Sequence, residues 1–256
     1  MREVGEIALA LDRARNRLRR PIARTPWLFD TLVAARPDRR NLQVRRDSVL
    51  LIEGFPRSGN TFSVAAFTLA NGARGHVASH LHAPAHVARA VRLGLPAIVL
   101  IRHPREACLS YVIRRPAVQL VGALDDYIDF YRAVWPLRNG FVVGGFEQVV
   151  SDFGEVIAAV NEKFHTSFER YQPTPENERA CFAMVEQGNR NECGGLVRET
   201  YVARPSAQRD RLKQRLQNAL ERGRASALLD EAVQLYRRFV DFQAARSDGR
   251  MREPGA

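Results

Sequence analysis

The chain has 256 residues, 45% of them hydrophobic and 8% aromatic, an ordinary globular balance and enough for one substantial core. It carries 39 Lys plus Arg against 28 Asp plus Glu, a net charge of +11, and only Lys163 and Lys213 are lysines. Arginine forks suit phosphate and sulfate, so an anionic ligand is expected, while charge alone does not select nucleic acid.

Cys108, Cys181 and Cys193 are few and far apart. They fit neither a disulfide framework nor a zinc spacing, and reduced thiols in a cytoplasmic setting are expected. No stretch approaches the roughly 18 uninterrupted apolar residues of a membrane span. The N-terminal MREVGEIALALDRARNRLRR is interrupted by charge throughout, unlike a secretory signal. Ile7, Leu9, Leu11 and Leu18 fall at helical spacing among arginines, which predicts a basic amphipathic helix over 6–20 able to touch a membrane surface. Pro21, Pro26 and Pro37 punctuate the next passage, with a brief helix expected near 27–35.

The pattern then changes. VLLIE (49–53) is a continuous apolar run ending at a glycine, the mark of a strand buried on both faces. Residues 61–69 are helical in composition; AIVLI (97–101) and FVVGG (141–145) are two further strands. Helices are expected over 84–93, 104–113, 120–135, 151–165, 207–221 and 225–245, with a long loop over 187–206 and a frayed tail. Strands alternating with helices predict an α/β fold with a parallel sheet flanked by helices.

Gly54 to Thr61 reads G-F-P-R-S-G-N-T, a phosphate-binding loop in every fixed position except the lysine, which is Asn60. Strand, glycine-rich turn and helix supply the N–H groups and helix end that hold an anion. A cation stands instead at Arg57, inside the loop. PRSGNTF (56–62) resembles the PKSGTTW loop of sulfotransferases that use 3′-phosphoadenosine 5′-phosphosulfate (PAPS). RHPREACLS (102–110) resembles that family's second motif, R-[ND]-P-x-[DE]-x-x-x-S, with His103 in place of Asn or Asp.

The resemblance implies a P-loop NTPase-like sulfotransferase architecture. It assigns Arg57, Ser58, Gly59, Asn60 and Thr61 to the 5′-phosphosulfate, and Arg102 and Ser110 to the 3′-phosphate. It implies sulfuryl transfer from PAPS to a hydroxyl without a metal, with Arg57 meeting charge on the departing phosphate. Ser79-His80-Leu81 resembles the family's K-[ST]-H-L stretch, whose histidine is the general base, with Ala78 where the lysine would be. His76, His80, His82 and His86 crowd eleven positions, and in an extended segment His80 and His82 share one face. His80 is preferred as the base, with His82 the alternative; a zinc site built from the four is the rival reading. Phe146-Glu147 stands in place of the family's Tyr-Glu. The family's R-K-G triplet is missing, with Arg204, Ser206 and Arg209 as its candidate substitutes.

The organisation expected is a basic helical extension (1–46), a sulfotransferase domain (47–245) and a tail (246–256). The acceptor the resemblance implies is a small-molecule, carbohydrate or glycolipid hydroxyl, and no nucleic acid is expected as partner. The alternatives are a P-loop-type kinase or NTPase, and a basic nucleic-acid-binding protein without catalysis.

Overall fold

The computed structural model describes residues 25, 29, 31–33, 36–72, 75–196 and 207–247. The helix expected over 6–20 lies outside them, as do Arg204, Ser206, the side chain of Arg209 and the tail beyond 247.

Four strands form one parallel sheet: β1 (Ser48–Gly54), β2 (His76–Ser79), β3 (Ala97–Ile101) and β4 (Val142–Gly145), in the order β2-β1-β3-β4. Each of the three apolar runs becomes a strand because it has helices on both sides and no polar face to offer water. Side chains alternate between two cores as a pleat requires. Leu51, Val99, Ile101 and Val143 point into one, with residues of α2 (Pro84–Arg92), α3 (Pro104–Arg114), α4 (Leu120–Val134) and α8 (Gly223–Ser247). Leu50, Ile52, Ile98 and Leu100 point into the other, with α1 (Asn60–Asn71), α5 (Phe146–Phe164) and α6 (Pro175–Glu192).

Most expected elements stand within a residue or two of their predicted limits, and the differences have local causes. β2 was not anticipated. The segment 146–164 is helical from Phe146 rather than 151, with a non-helical Asp152 (φ −153°, ψ 84°) marking a kink where two helical pieces meet. The loop expected over 187–206 begins as helix, because α6 runs to Glu192. Its buried seam is Cys181, Val185 and Asn189, one residue per turn. Farther on, α7 (Ala207–Leu220) is tied to α3 by Lys213 Nζ donating to Glu106 Oε2 at 2.7 Å. Arg105 also meets Glu221 at 3.4 Å.

The chain reverses direction across the sheet between β1 and β3, since β2 is laid on one side of β1 and β3 on the other. In open α/β sheets, ligands bind beyond the carboxyl ends of the strands at that switch point. The loops after β1 and β3 therefore share one crevice edge. Gly54 is required there: a Cβ on it would lie 2.5 Å from the Leu100 carbonyl oxygen.

Candidate active site

The loop after β1 is built from within. Asn60 Nδ2 donates to the Phe55 carbonyl at 3.2 Å, closing the turn across its base. Tyr131 on α4 donates to the Leu100 carbonyl at 2.7 Å, and the Phe55 N–H reaches its oxygen at 3.4 Å. Four residues earlier, Tyr127 donates to the Arg102 carbonyl at 2.8 Å, so one helical face holds both loops. Gly59 caps α1 in the left-handed region (φ 99°). A helix leaves its first N–H groups without intrahelical partners; here the cap has no side chain to take one, and no acid occupies the first turn. The result is a positive helix end facing the crevice.

The two sequence motifs meet. Arg57 Nε donates to Ser110 Oγ at 3.0 Å, and Arg102 Nη1 donates to the Arg57 carbonyl at 3.1 Å. The Arg102 guanidinium lies 3.7 Å from the centroid of the Phe146 ring, and its other nitrogen is 3.9 Å from Glu106. Two cations, a buried hydroxyl and a helix N-terminus thus converge on a few ångströms. Ser58 and Asn60 are turned inward, with Ser58 Oγ 3.5 Å from the Tyr131 hydroxyl. Their side chains shape the loop, while Arg57, Gly59 and Thr61 are only partly buried.

The histidine stretch departs from the extended form anticipated. His80 (φ 62°) and His82 (φ 50°) are both left-handed, as is Arg57 (φ 71°). Such a backbone costs about 1–3 kcal/mol at a non-glycine residue and persists only where surrounding contacts enforce it. Among described non-glycine residues only His165, at the end of α5, shares this conformation, so three of the four cluster at one site. The His80 and His82 rings are 6.0 Å apart. His80 Nε2 meets Thr61 Oγ1 at 3.3 Å and its Nδ1 meets Ser79 Oγ at 2.8 Å. Burial lowers its pKa below 6.5, against the pull of Glu53 and Glu192 and with help from Arg114. The ring is neutral near pH 7.

The other two histidines serve the scaffold. The Val44 N–H donates to His86 Nε2 at 2.7 Å, so Nδ1 carries the proton it gives to Glu53 at 2.9 Å. His76 joins Ser48 and the Asn41 carbonyl, each at 2.8 Å. Among the described residues no group of three His, Cys, Asp or Glu is arranged to hold a metal ion.

The partner of His82 and His86 is Glu53, which sequence reasoning passed over as the end of an apolar strand. It is fully buried. Burial pushes its pKa up, but the His86 hydrogen bond, the attraction of His82 and His86 and the Leu81 N–H outweigh that and hold it below 4.5. One acid in VLLIEG, directly before a phosphate-type loop, was the available signal. Tyr127, Tyr131 and the Arg102–Phe146 contact were likewise missed; the tyrosine spacing of four was legible, its target was not.

No protein-family model matches the chain, and no curated protein matches its sequence. Among solved structures, mouse sulfotransferase SULT7A1 in complex with PAP is similar, with a TM-score of 0.42 and 11% sequence identity over 74% of this chain and 90% of that one. Among the described residues no helix is long and apolar enough to cross a membrane.

Proposed function

We propose that the chain is a PAPS-dependent sulfotransferase acting on a hydroxyl acceptor. The observation that carries it is the junction of Arg57, Ser110 and Arg102 at the end of α1, a doubly cationic cradle made by both motifs. It fits a nucleotide with phosphate groups at two positions, since each arginine belongs to a different loop at the switch point. PAPS, when bound, supplies the sulfuryl group: the acceptor oxygen bonds to sulfur as the sulfur–oxygen bond to the 5′-phosphate breaks.

The protein's share is binding, orientation and proton transfer. Helix-end N–H groups and Arg57 hold the 5′ side and offset charge that gathers on the departing phosphate. Arg102 and Ser110 hold the 3′-phosphate. The acceptor proton passes to an imidazole of the 80–82 stretch. Asn60 occupies the Walker lysine position and uses its amide on the Phe55 carbonyl, so the kinase reading gains no cation there.

Calorimetry with 3′-phosphoadenosine 5′-phosphate against adenosine 5′-phosphate tests this. The bisphosphate is expected to bind more tightly, and Arg102→Ala to weaken it by about 1.5–3 kcal/mol, as for a charged hydrogen bond. Equal affinity for the two nucleotides would remove the second motif from the site.

A further inference from the structure

Glu53 is a buried carboxylate where a neutral acceptor would have been cheaper to desolvate. It accepts from the Leu81 N–H at 2.8 Å, the His82 N–H at 3.0 Å and His86 Nδ1 at 2.9 Å, anchoring the backbone at Leu81 and at the left-handed His82. A glutamine oxygen could accept one or two of these bonds. What it could not supply is negative charge 3.6 Å from His82 Nδ1.

The ring geometry gives that charge a use. His82 Nδ1 donates to the Gly54 carbonyl at 2.8 Å, so the neutral ring is the Nδ1–H tautomer and the lone pair is on Nε2. The His82 side chain is 18% exposed, at the loop's edge. His80 differs, for both its nitrogens meet hydroxyls and burial disfavours its charged form. A proton arriving on His80 gives an imidazolium whose desolvation outweighs the pull of Glu53; one arriving on His82 gives an imidazolium 3.6 Å from that carboxylate.

We propose that Glu53 is a positioning residue that orients His82 and stabilises its protonated form, making His82, in place of His80, the proton acceptor. This rests on the sulfotransferase reading. In the step, the acceptor O–H electron pair becomes the new oxygen–sulfur bond, the proton moves to His82 Nε2, and the bridging electrons leave with the 5′-phosphate. The titratable groups around His82 include Glu53 from β1, His80 from its own stretch and His86 from α2, which acts through Glu53. Glu53, Glu192 and Arg114 all act on His80, where burial outweighs the pull of Glu53.

Imidazole ¹H–¹⁵N spectra of the full chain test this, with assignments from His80→Gln and His82→Gln. The neutral His82 ring is expected to show a protonated Nδ1 and an unprotonated Nε2. In Glu53→Gln its titration midpoint should fall by about 1–2 pH units, the scale of losing one opposite charge at this range. Calorimetric affinity for 3′-phosphoadenosine 5′-phosphate should change far less than in Arg102→Ala, because Glu53 meets the loop only at the Gly54 N–H, at the long distance of 3.3 Å. An Nε2–H tautomer in the wild type overturns the proposal, as does an unmoved midpoint in a folded Glu53→Gln protein. If that variant does not fold, the wild-type tautomer decides alone. A wild type that binds no bisphosphate overturns the sulfotransferase reading beneath it, and the spectra still report the Glu53–His82 coupling.

Discussion

Replacing Tyr131 with phenylalanine removes one oxygen and nothing else. The ring is fully buried and packed against Tyr127, Phe130 and Phe239, so the shape is retained and no cavity opens. The lost oxygen donates to the Leu100 carbonyl at 2.7 Å and accepts from the Phe55 N–H at 3.4 Å, with Ser58 Oγ at 3.5 Å. The last two are at the limit of hydrogen bonding and weigh little. One short bond lost, with a buried carbonyl deprived of its donor, costs about 1–3 kcal/mol. With a urea slope of about 3 kcal/mol per M, a central loss of about 2 kcal/mol lowers the unfolding midpoint by roughly 0.7 M. Melting should fall by roughly 4–8 °C. Because Phe55 opens the phosphate loop, bisphosphate affinity should also weaken a few-fold. A urea midpoint within about 0.1 M of wild type would show that this hydroxyl does not hold the loop to the sheet.

Gly54→Ala should be at least as harmful for a different reason. The new methyl meets a backbone oxygen at 2.5 Å, neither strand can give way, and overpacking of about 3 kcal/mol is expected; an unchanged melting temperature would refute it. Acid should weaken the fold in two stages. Folded His80 and His103 titrate below 6.5, and folded Glu53 and Glu106 below 4.5, so the unfolded chain binds more protons and stability rises with pH. Stability should decline as pH falls through 6.5 toward the folded histidine values, and again below 4.5; urea midpoints that stay flat from pH 8 to 4 would contradict this.

The parts legible in the sequence were those with strong local signals. VLLIE, AIVLI and FVVGG are continuous apolar runs that only a covered sheet can bury, and the glycine turn after the first marks where the nucleotide is proposed to sit. β2 was illegible because HVAS is four residues at a sheet edge, half of it only partly buried and led by a histidine that bonds Ser48. α6 escaped notice because a seam of Cys181, Val185 and Asn189 is too sparse and too polar to register as periodicity. At the site, motif spacing brought Arg57, Arg102 and Ser110 to attention, and the structure joins them by hydrogen bonds. Spacing could not show that Ser58 and Asn60 turn inward, nor that Glu53 is an anchor. Both depend on which way a side chain leaves a left-handed or buried backbone, and residue type does not encode that.

The near-absence of lysine makes the contact between α7 and α3 a chemical reporter. An amine-directed acylating reagent has two side-chain targets on this chain, Lys163 and Lys213. Lys163 lies near the end of α5 beside the Phe164 ring, while Lys213 is 18% exposed and bonded to Glu106 on the helix of the second motif. Acylation needs a free, deprotonated amine, so the rate at Lys213 reports how often its bond to Glu106 is broken, an event that undocking of α7 from α3 would make more frequent, and it is read against the rate at Lys163 in the same spectrum. Mass spectrometry of two peptides would thus follow the Lys213–Glu106 contact without an introduced label.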